Sequence, residues 1–179
     1  MSFVLHVNGW PGCGKLTIAR RIASAIGGRL LDNHTLLNPA AALFDRAAPE
    51  FTELRRELKR LVFEYALKLA PQIPLVLTDA LADIPSDRAV FDGYRELARA
   101  RGAELVCVVL DCSHEENARR IVAPGRSEQY KLASGSALAE LRRQYTLLRA
   151  PDLETIECDV TTLDPDAAAA AIVARLRAV

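Results

Sequence analysis

The nine residues GWPGCGKLT, Gly9 to Thr17, decide how this chain is read. Ahead of them lies FVLHV (3–7), an apolar run of the length of a short buried strand. Behind them Ile18, Ala19, Ile22, Ala23 and Ile26 recur at helical spacing until Gly27-Gly28 supply a left-handed stop. The glycine-rich stretch therefore joins a strand to the start of a helix. Glycines there remove Cβ atoms and let an anion reach bare backbone, while the N–H groups of the helix start and the Lys15 ammonium supply positive charge. A turn with a purely structural task needs fewer glycines and no lysine. A dinucleotide fingerprint would draw on Asp32 as its ribose-binding acid, but Thr17 stands where a third glycine-like residue belongs and Lys15 has no role in it.

Working outward, RLLD (29–32) is a second short strand, and Asn38-Pro39 read as the N-cap and first position of a short helix. Phe51, Leu54, Leu58, Leu61, Val62, Tyr65 and Leu69 mark one face of a long amphipathic helix closed by Pro71. IPLVLTD (73–79) is a continuous apolar run of the kind found in a strand covered on both faces. A helix opens at Pro85-Ser86-Asp87, turns Val90, Tyr94, Leu97 and Ala98 inward and ends before Gly102. ELVCVVLD (104–111) is the next strand, and Ser113 with Glu116 forms a capping box for the helix after it. Leu138, Leu141, Tyr145 and Leu148 outline another helix, LETIEC (153–158) a last strand, and Asp164-Pro165 the start of a terminal helix. Five strands alternating with helices predict an α/β single domain, a parallel sheet with helices on both faces.

Composition narrows the function classes. With 179 residues, 50% of them hydrophobic, residues 1–179 suit one core. Lys plus Arg balance Asp plus Glu at 23 each, so no global basic field suggests a nucleic-acid partner. Cysteines 13, 107, 112 and 158 show no zinc-type spacing and fit a reduced, cytoplasmic setting. The first residues lack a basic n-region, and no stretch reaches the ~18 apolar residues of a membrane span.

GWPGCGKLT resembles the loop of adenylate-kinase-like P-loop kinases, where G-x-P-G-x-G-K-G-T puts a non-hydroxyl residue after the lysine and threonine one place later. The resemblance implies ATP and Mg²⁺ as cofactors. It makes Gly9, Gly12, Cys13, Gly14, Lys15 and Leu16 the cradle of the β- and γ-phosphates, gives Thr17 the α-phosphate, and has magnesium held largely through water. LVLTD (75–79), a hydrophobic strand ending in an acid, has the pattern of a Walker B aspartate, so Asp79 joins Thr17 on the metal side. Ala80 follows it, where many motor and switch ATPases carry a glutamate that polarises water. TDAL also resembles the SAL element of gluconate-kinase-like enzymes, with Asp79 replacing serine.

An acceptor site is expected between residues 32 and 60. Leu30-Leu31-Asp32-Asn33-His34 resembles the D-x-D pattern of shikimate and gluconate kinases with His34 in the second acidic place, which implies that Asp32 and His34 orient or deprotonate a hydroxyl. The same cluster also reads as an ordinary turn and helix cap. In related kinases an arginine from the following helix binds an acidic group of the acceptor, which makes Arg55 and Arg56 candidates within the cluster Arg55, Arg56, Lys59 and Arg60; a solvated face paired with Glu53, Glu57 and Glu64 is the competing reading. Arg119-Arg120-Ile121-Val122 with Pro124-Gly125-Arg126 and Lys131 resembles the start of the adenylate-kinase lid, here about 119–135, and implies that Arg120 stacks on adenine and Arg126 touches the transferring phosphates. His6 and His114 receive no functional reading.

The resemblance implies a P-loop NTPase sheet ordered 2-3-1-4-5 and an ATP-dependent phosphotransferase, monomer or homodimer, acting on a hydroxyl of a small polar metabolite. A nucleoside monophosphate acceptor is disfavoured because LTDALADIP replaces the LDGFPR-like element. A nucleotide-binding regulatory protein or slow NTPase is the alternative of a different class.

Overall fold

Five strands carry the site: β1 (Phe3–Gly9), β2 (Arg29–Asp32), β3 (Leu75–Thr78), β4 (Glu104–Asp111) and β5 (Thr155–Asp159). In the computed structural model, which describes residues 3–123, 132 and 134–177, they form one parallel sheet in the order β2-β3-β1-β4-β5. The helices are α1 (Lys15–Ala25), α2 (Asn33–Leu43), α3 (Pro49–Ala66), α4 (Pro85–Ala100), α5 (His114–Ile121), α6 (Gly135–Gln144) and α7 (Pro165–Leu176). None of the described helices is long and apolar enough to cross a membrane.

The pleat divides the central strands between two cores. Leu5 and Val7 of β1 pack with Val76, Val106, Val108 and Ile156 against Ile18 and Ile22 of α1 and Ile172 of α7. Val4, Leu75, Leu77, Leu105 and Cys107 pack on the opposite face against Phe91, Tyr94 and Leu97 of α4 and Ala66 of α3. Helices thus cover both faces, as continuous apolar strands require.

Three elements depart from the expected outline. The helix placed at Asn38-Pro39 begins at Asn33, because the Asp32 carboxylate accepts from His34 N at 3.0 Å and caps it; Pro39 lies inside the helix. The expected apolar face of α3 is only partly buried: Leu61 is 46% and Tyr65 61% exposed. Phe51 packs on Leu37 and Ala40 of α2, and Phe63 packs on the second core. Between those contacts Arg55 and Lys59 line a cavity. The helix outlined by Leu138 to Leu148 ends at Gln144, and Leu148 instead donates its N–H to Leu81 O at 3.0 Å, beyond the carboxyl end of β3.

The backbone at that edge is clamped by Asn8. Its amide accepts from Leu81 N at 2.8 Å and donates to Leu81 O at 3.0 Å and Leu148 O at 3.2 Å. A buried asparagine satisfied on both ends fixes where the chain leaves β3, and with it Asp79.

Candidate functional site

The glycine-rich stretch runs from the end of β1 into α1 at the carboxyl edge of the sheet, where parallel α/β proteins bind ligands. Gly14 is the N-cap of α1 in the left-handed region (φ 93°) and brings no side chain to cap the helix. The first amides of α1 therefore face outward without intrahelical acceptors, an anion-binding end. Gly12 also has a positive φ (92°), and a Cβ there would lie 2.9 Å from Asn117 Nδ2. At Gly9, the last residue of β1, a Cβ would meet Leu110 O of the adjacent β4 at 2.5 Å, which leaves no room for a side chain. The Lys15 ammonium folds back across the turn and donates to Gly9 O at 2.7 Å and Trp10 O at 2.9 Å.

This turn forms one side of a cavity of ≈ 380 Å³ that Gly12, Gly14, Lys15, Leu16 and Thr17 line together with Asp32, His34, Thr78 and Asp79. Sites predicted from three separate stretches of sequence thus meet in one cleft. Cys13 is buried in the first core and contributes backbone to the turn, its N–H donating to Trp10 O at 3.2 Å.

A second cavity, of ≈ 250 Å³, adjoins the first. Leu31, Leu36, Phe63, Leu77, Val90 and Tyr94 wall it with apolar surface, and Arg55, Arg56 and Lys59 rim it. Asp32, Asn33 and Thr78 line both cavities, so the two meet at the carboxyl ends of β2 and β3. Asn33 N donates to Thr78 Oγ1 at 3.3 Å across that junction.

Of the two tasks left open by the sequence, Asp32 performs the capping one. It caps α2 through Oδ1 and accepts from Thr35 Oγ1 at 2.8 Å through Oδ2, yet it faces both cavities. His34 lines only the larger of the two cavities, with Nδ1 3.4 Å from Asn38 Oδ1. The basic cluster divides: Arg60 pairs with Glu57 at 3.1 Å and Glu64 at 2.5 Å on the outer face of α3, while Arg55, Arg56 and Lys59 turn to the cavity. Arg55 also donates to Asn33 Oδ1 at 2.9 Å, tying α3 to the start of α2.

Burial, opposed by the charge of Asp79 and assisted by Arg55, lowers the Lys59 ammonium to about 8. Its Nζ stands 4.1 Å from the centroid of the Tyr94 ring. Lys59 was legible as part of a basic cluster, whereas Tyr94 was legible only as an inward residue of α4. The usable signal was that a buried phenol requires a partner, and Asp79 is a buried acid at a neighbouring strand end.

Asp79 is 4% exposed; Oδ2 accepts from Tyr94 OH at 2.7 Å and Oδ1 from its neighbour Ala80 N at 2.9 Å. Among the described residues no cluster of three or more His, Cys, Asp or Glu forms a protein cage for a metal. One carboxylate and the Thr17 hydroxyl in the same cleft instead fit a magnesium ion that keeps waters and takes phosphate oxygens.

Arg120 lies away from that cleft. Its Nε donates to Glu116 at 2.6 Å and its Nη2 to the carbonyls of Val160 at 2.8 Å and Thr161 at 3.3 Å, so it brackets α5 to the loop after β5. Bonds from Arg119 and Arg120 hold the Glu116 carboxyl down to about 2. Arg126, Pro124, Gly125 and Lys131 lie outside the described residues; Leu132, from the expected lid segment, lines the larger cavity.

Known proteins resemble this chain in sequence and in fold. A family model described as an AAA domain (AAA_33) matches residues 4–148. A curated cytidylate kinase from Pyrobaculum aerophilum is 30% identical over 164 residues, 90% of this chain and 83% of the relative. A sugar kinase from Janibacter superposes with a TM-score of 0.65 at 20% identity, covering 99% of this chain and 95% of its own. A gluconokinase from Sinorhizobium meliloti gives 0.60 at 19% identity, covering 97% and 93%. The two structures share the fold; the family match and the curated relative extend the likeness to sequence. The chain belongs to the AAA_33 AAA-domain family, within the superfamily of P-loop kinases that includes the nucleoside monophosphate, shikimate and gluconate kinases.

Proposed function

We propose that this protein transfers the γ-phosphoryl group of ATP to a hydroxyl of a small acceptor that has an apolar body and an anionic group. The observation that supports this most is the junction at Asp32, Asn33 and Thr78, where a polyphosphate-type cleft opens directly onto an apolar cavity with a cationic rim. A donor in one and an acceptor in the other would meet there, and holding two reactants in register removes most of the entropic barrier to their reaction.

In this reading Lys15 exchanges the Gly9 and Trp10 carbonyls for β- and γ-phosphate oxygens, joined by the first amides of α1. Thr17 takes the α-phosphate, and Asp79 with Thr17 would hold water around magnesium, which when bound neutralises phosphate charge. Asp32 orients or deprotonates the acceptor hydroxyl, because it reaches both cavities and its cap bonds fix it in place. Arg55, Arg56 and Lys59 bind the anionic group. Arg120, anchored beside the loop after β5, stacks on adenine, and Arg126 approaches the transferring phosphates.

A second reading draws on the Pyrobaculum cytidylate kinase: a nucleoside monophosphate also has a flat apolar body and an anion, and there the accepting oxygen belongs to phosphate. ADP release measured with a panel of hydroxylated carboxylic acids, sugar acids, nucleosides and nucleotides including cytidylate separates the readings. Stimulation by a hydroxylated acid supports the first, and stimulation by cytidylate alone supports the second. ATP binding without a response to any acceptor supports a regulatory nucleotide-binding protein.

A further inference from the structure

We propose that Tyr94 is the positioning residue for Asp79: a phenol rooted in the wall of the acceptor cavity that holds the metal-side carboxylate toward the nucleotide. The inference rests on the kinase reading above. Tyr94 is 4% exposed and walls the apolar cavity, whereas Asp79 lines the nucleotide cavity, so the 2.7 Å bond between them passes through the partition.

The phenol is held rigidly. The His6 ring lies 4.9 Å from its ring at 31°, Phe91 6.3 Å away at 87° and Phe63 5.9 Å away at 50°. Lys59 Nζ stands above it. From within this packing the hydroxyl bonds to Asp79. The carboxylate it meets is anchored on its backbone side, with Asp79 N donating to Val7 O at 3.1 Å and Ala80 N donating to Oδ1. With one bond on each oxygen the carboxylate plane is set, and each oxygen keeps a lone pair for water. Without the phenol, Oδ2 loses its bond from Tyr94 and the side chain can turn about its terminal torsion.

A buried tyrosine bonded to a buried acid could serve stability alone, so the test uses a readout that stability does not move. The affinity of the nonhydrolysable analogue AMPPNP is measured by calorimetry in EDTA and with excess Mg²⁺, for wild type and for Tyr94→Phe. The expected result is metal-free affinity within about twofold of wild type and an Mg²⁺-dependent gain in affinity smaller by about tenfold, the lower end of what outer-shell partners of metal ligands contribute. An equal loss with and without Mg²⁺, or an unchanged gain, overturns the proposal while leaving the nucleotide site intact. No AMPPNP binding by wild type would instead remove the kinase reading and the proposal with it. Because Tyr94→Phe can lower stability, Asp79→Asn and the double variant complete the cycle. If Tyr94 acts through Asp79, adding Tyr94→Phe to Asp79→Asn reduces the gain no further, and additive reductions contradict it.

Discussion

Lys15 spans its own loop by donating to Gly9 O and Trp10 O, a pair of carbonyls that an incoming phosphate would replace. A net charge-assisted contribution of about 1.5–3 kcal/mol implies that Lys15→Ala should weaken AMPPNP binding by about 10- to 100-fold by calorimetry; unchanged affinity would contradict the cradle. Lys59 supplies a pH signature. Burial brings its ammonium down to about 8, so it is charged below that pH and neutral above it. If it binds an acceptor anion, the acceptor KM should rise as pH increases through about 8, and Lys59→Met should abolish that inflection; a wild-type KM flat from pH 7 to 9 would remove Lys59 from the site. His6 acts on stability. Burial lowers it to about 4 from an ordinary 6.5. The unfolded chain therefore takes up the proton first, and stability present above pH 6.5 is lost as pH falls toward 4, by about 3 kcal/mol. His6→Leu should flatten the slope of urea midpoints over that window.

At the scale of elements, the phosphate-binding turn was legible because its chemistry is local: glycine, glycine, glycine and lysine between a strand and a helix leave few other uses. Strand positions were legible for a related reason, since strands covered on both faces read as unbroken apolar runs. α2 was misplaced because Asn38-Pro39 is a strong helix-start pair in isolation, while the Asp32 cap that decides the true start depends on one carboxylate reaching His34 N. α3 misled in a different way. Its apolar periodicity suggested one buried stripe, but its middle turns stand over a cavity that Arg55 and Lys59 line, while Leu61 and Tyr65 face solvent. The second cavity was illegible because its lining comes from β2, α2, α3, β3 and α4, and only the fold brings these together. The cap of α7, by contrast, was readable and carries a prediction: Asp164 accepts from Asp166 N at 2.9 Å and Ala167 N at 2.8 Å, so Asp164→Ala should cost about 1 kcal/mol in urea unfolding without changing nucleotide affinity.

For the whole molecule, the strand order places β1, with its glycine-rich exit, between β3 and β4, and β2 beside β3. The turn, Asp79 and Asp32 therefore leave the sheet from adjacent strands at one edge, and two cavities share the space above them. In the proposed function this shared space passes a phosphoryl group from nucleotide to acceptor rather than to water. Ala80, in place of a water-polarising glutamate, agrees with that. The most direct measurement follows the γ-phosphorus of ATP by ³¹P NMR during turnover with the acceptor that stimulates ADP release. Transfer to a hydroxyl requires that the γ-phosphorus reappear as a phosphate ester, one for each ADP formed, and Asp32→Asn should suppress the ester while AMPPNP still binds. Recovery of that phosphorus as inorganic phosphate, at a rate indifferent to every acceptor, would contradict it.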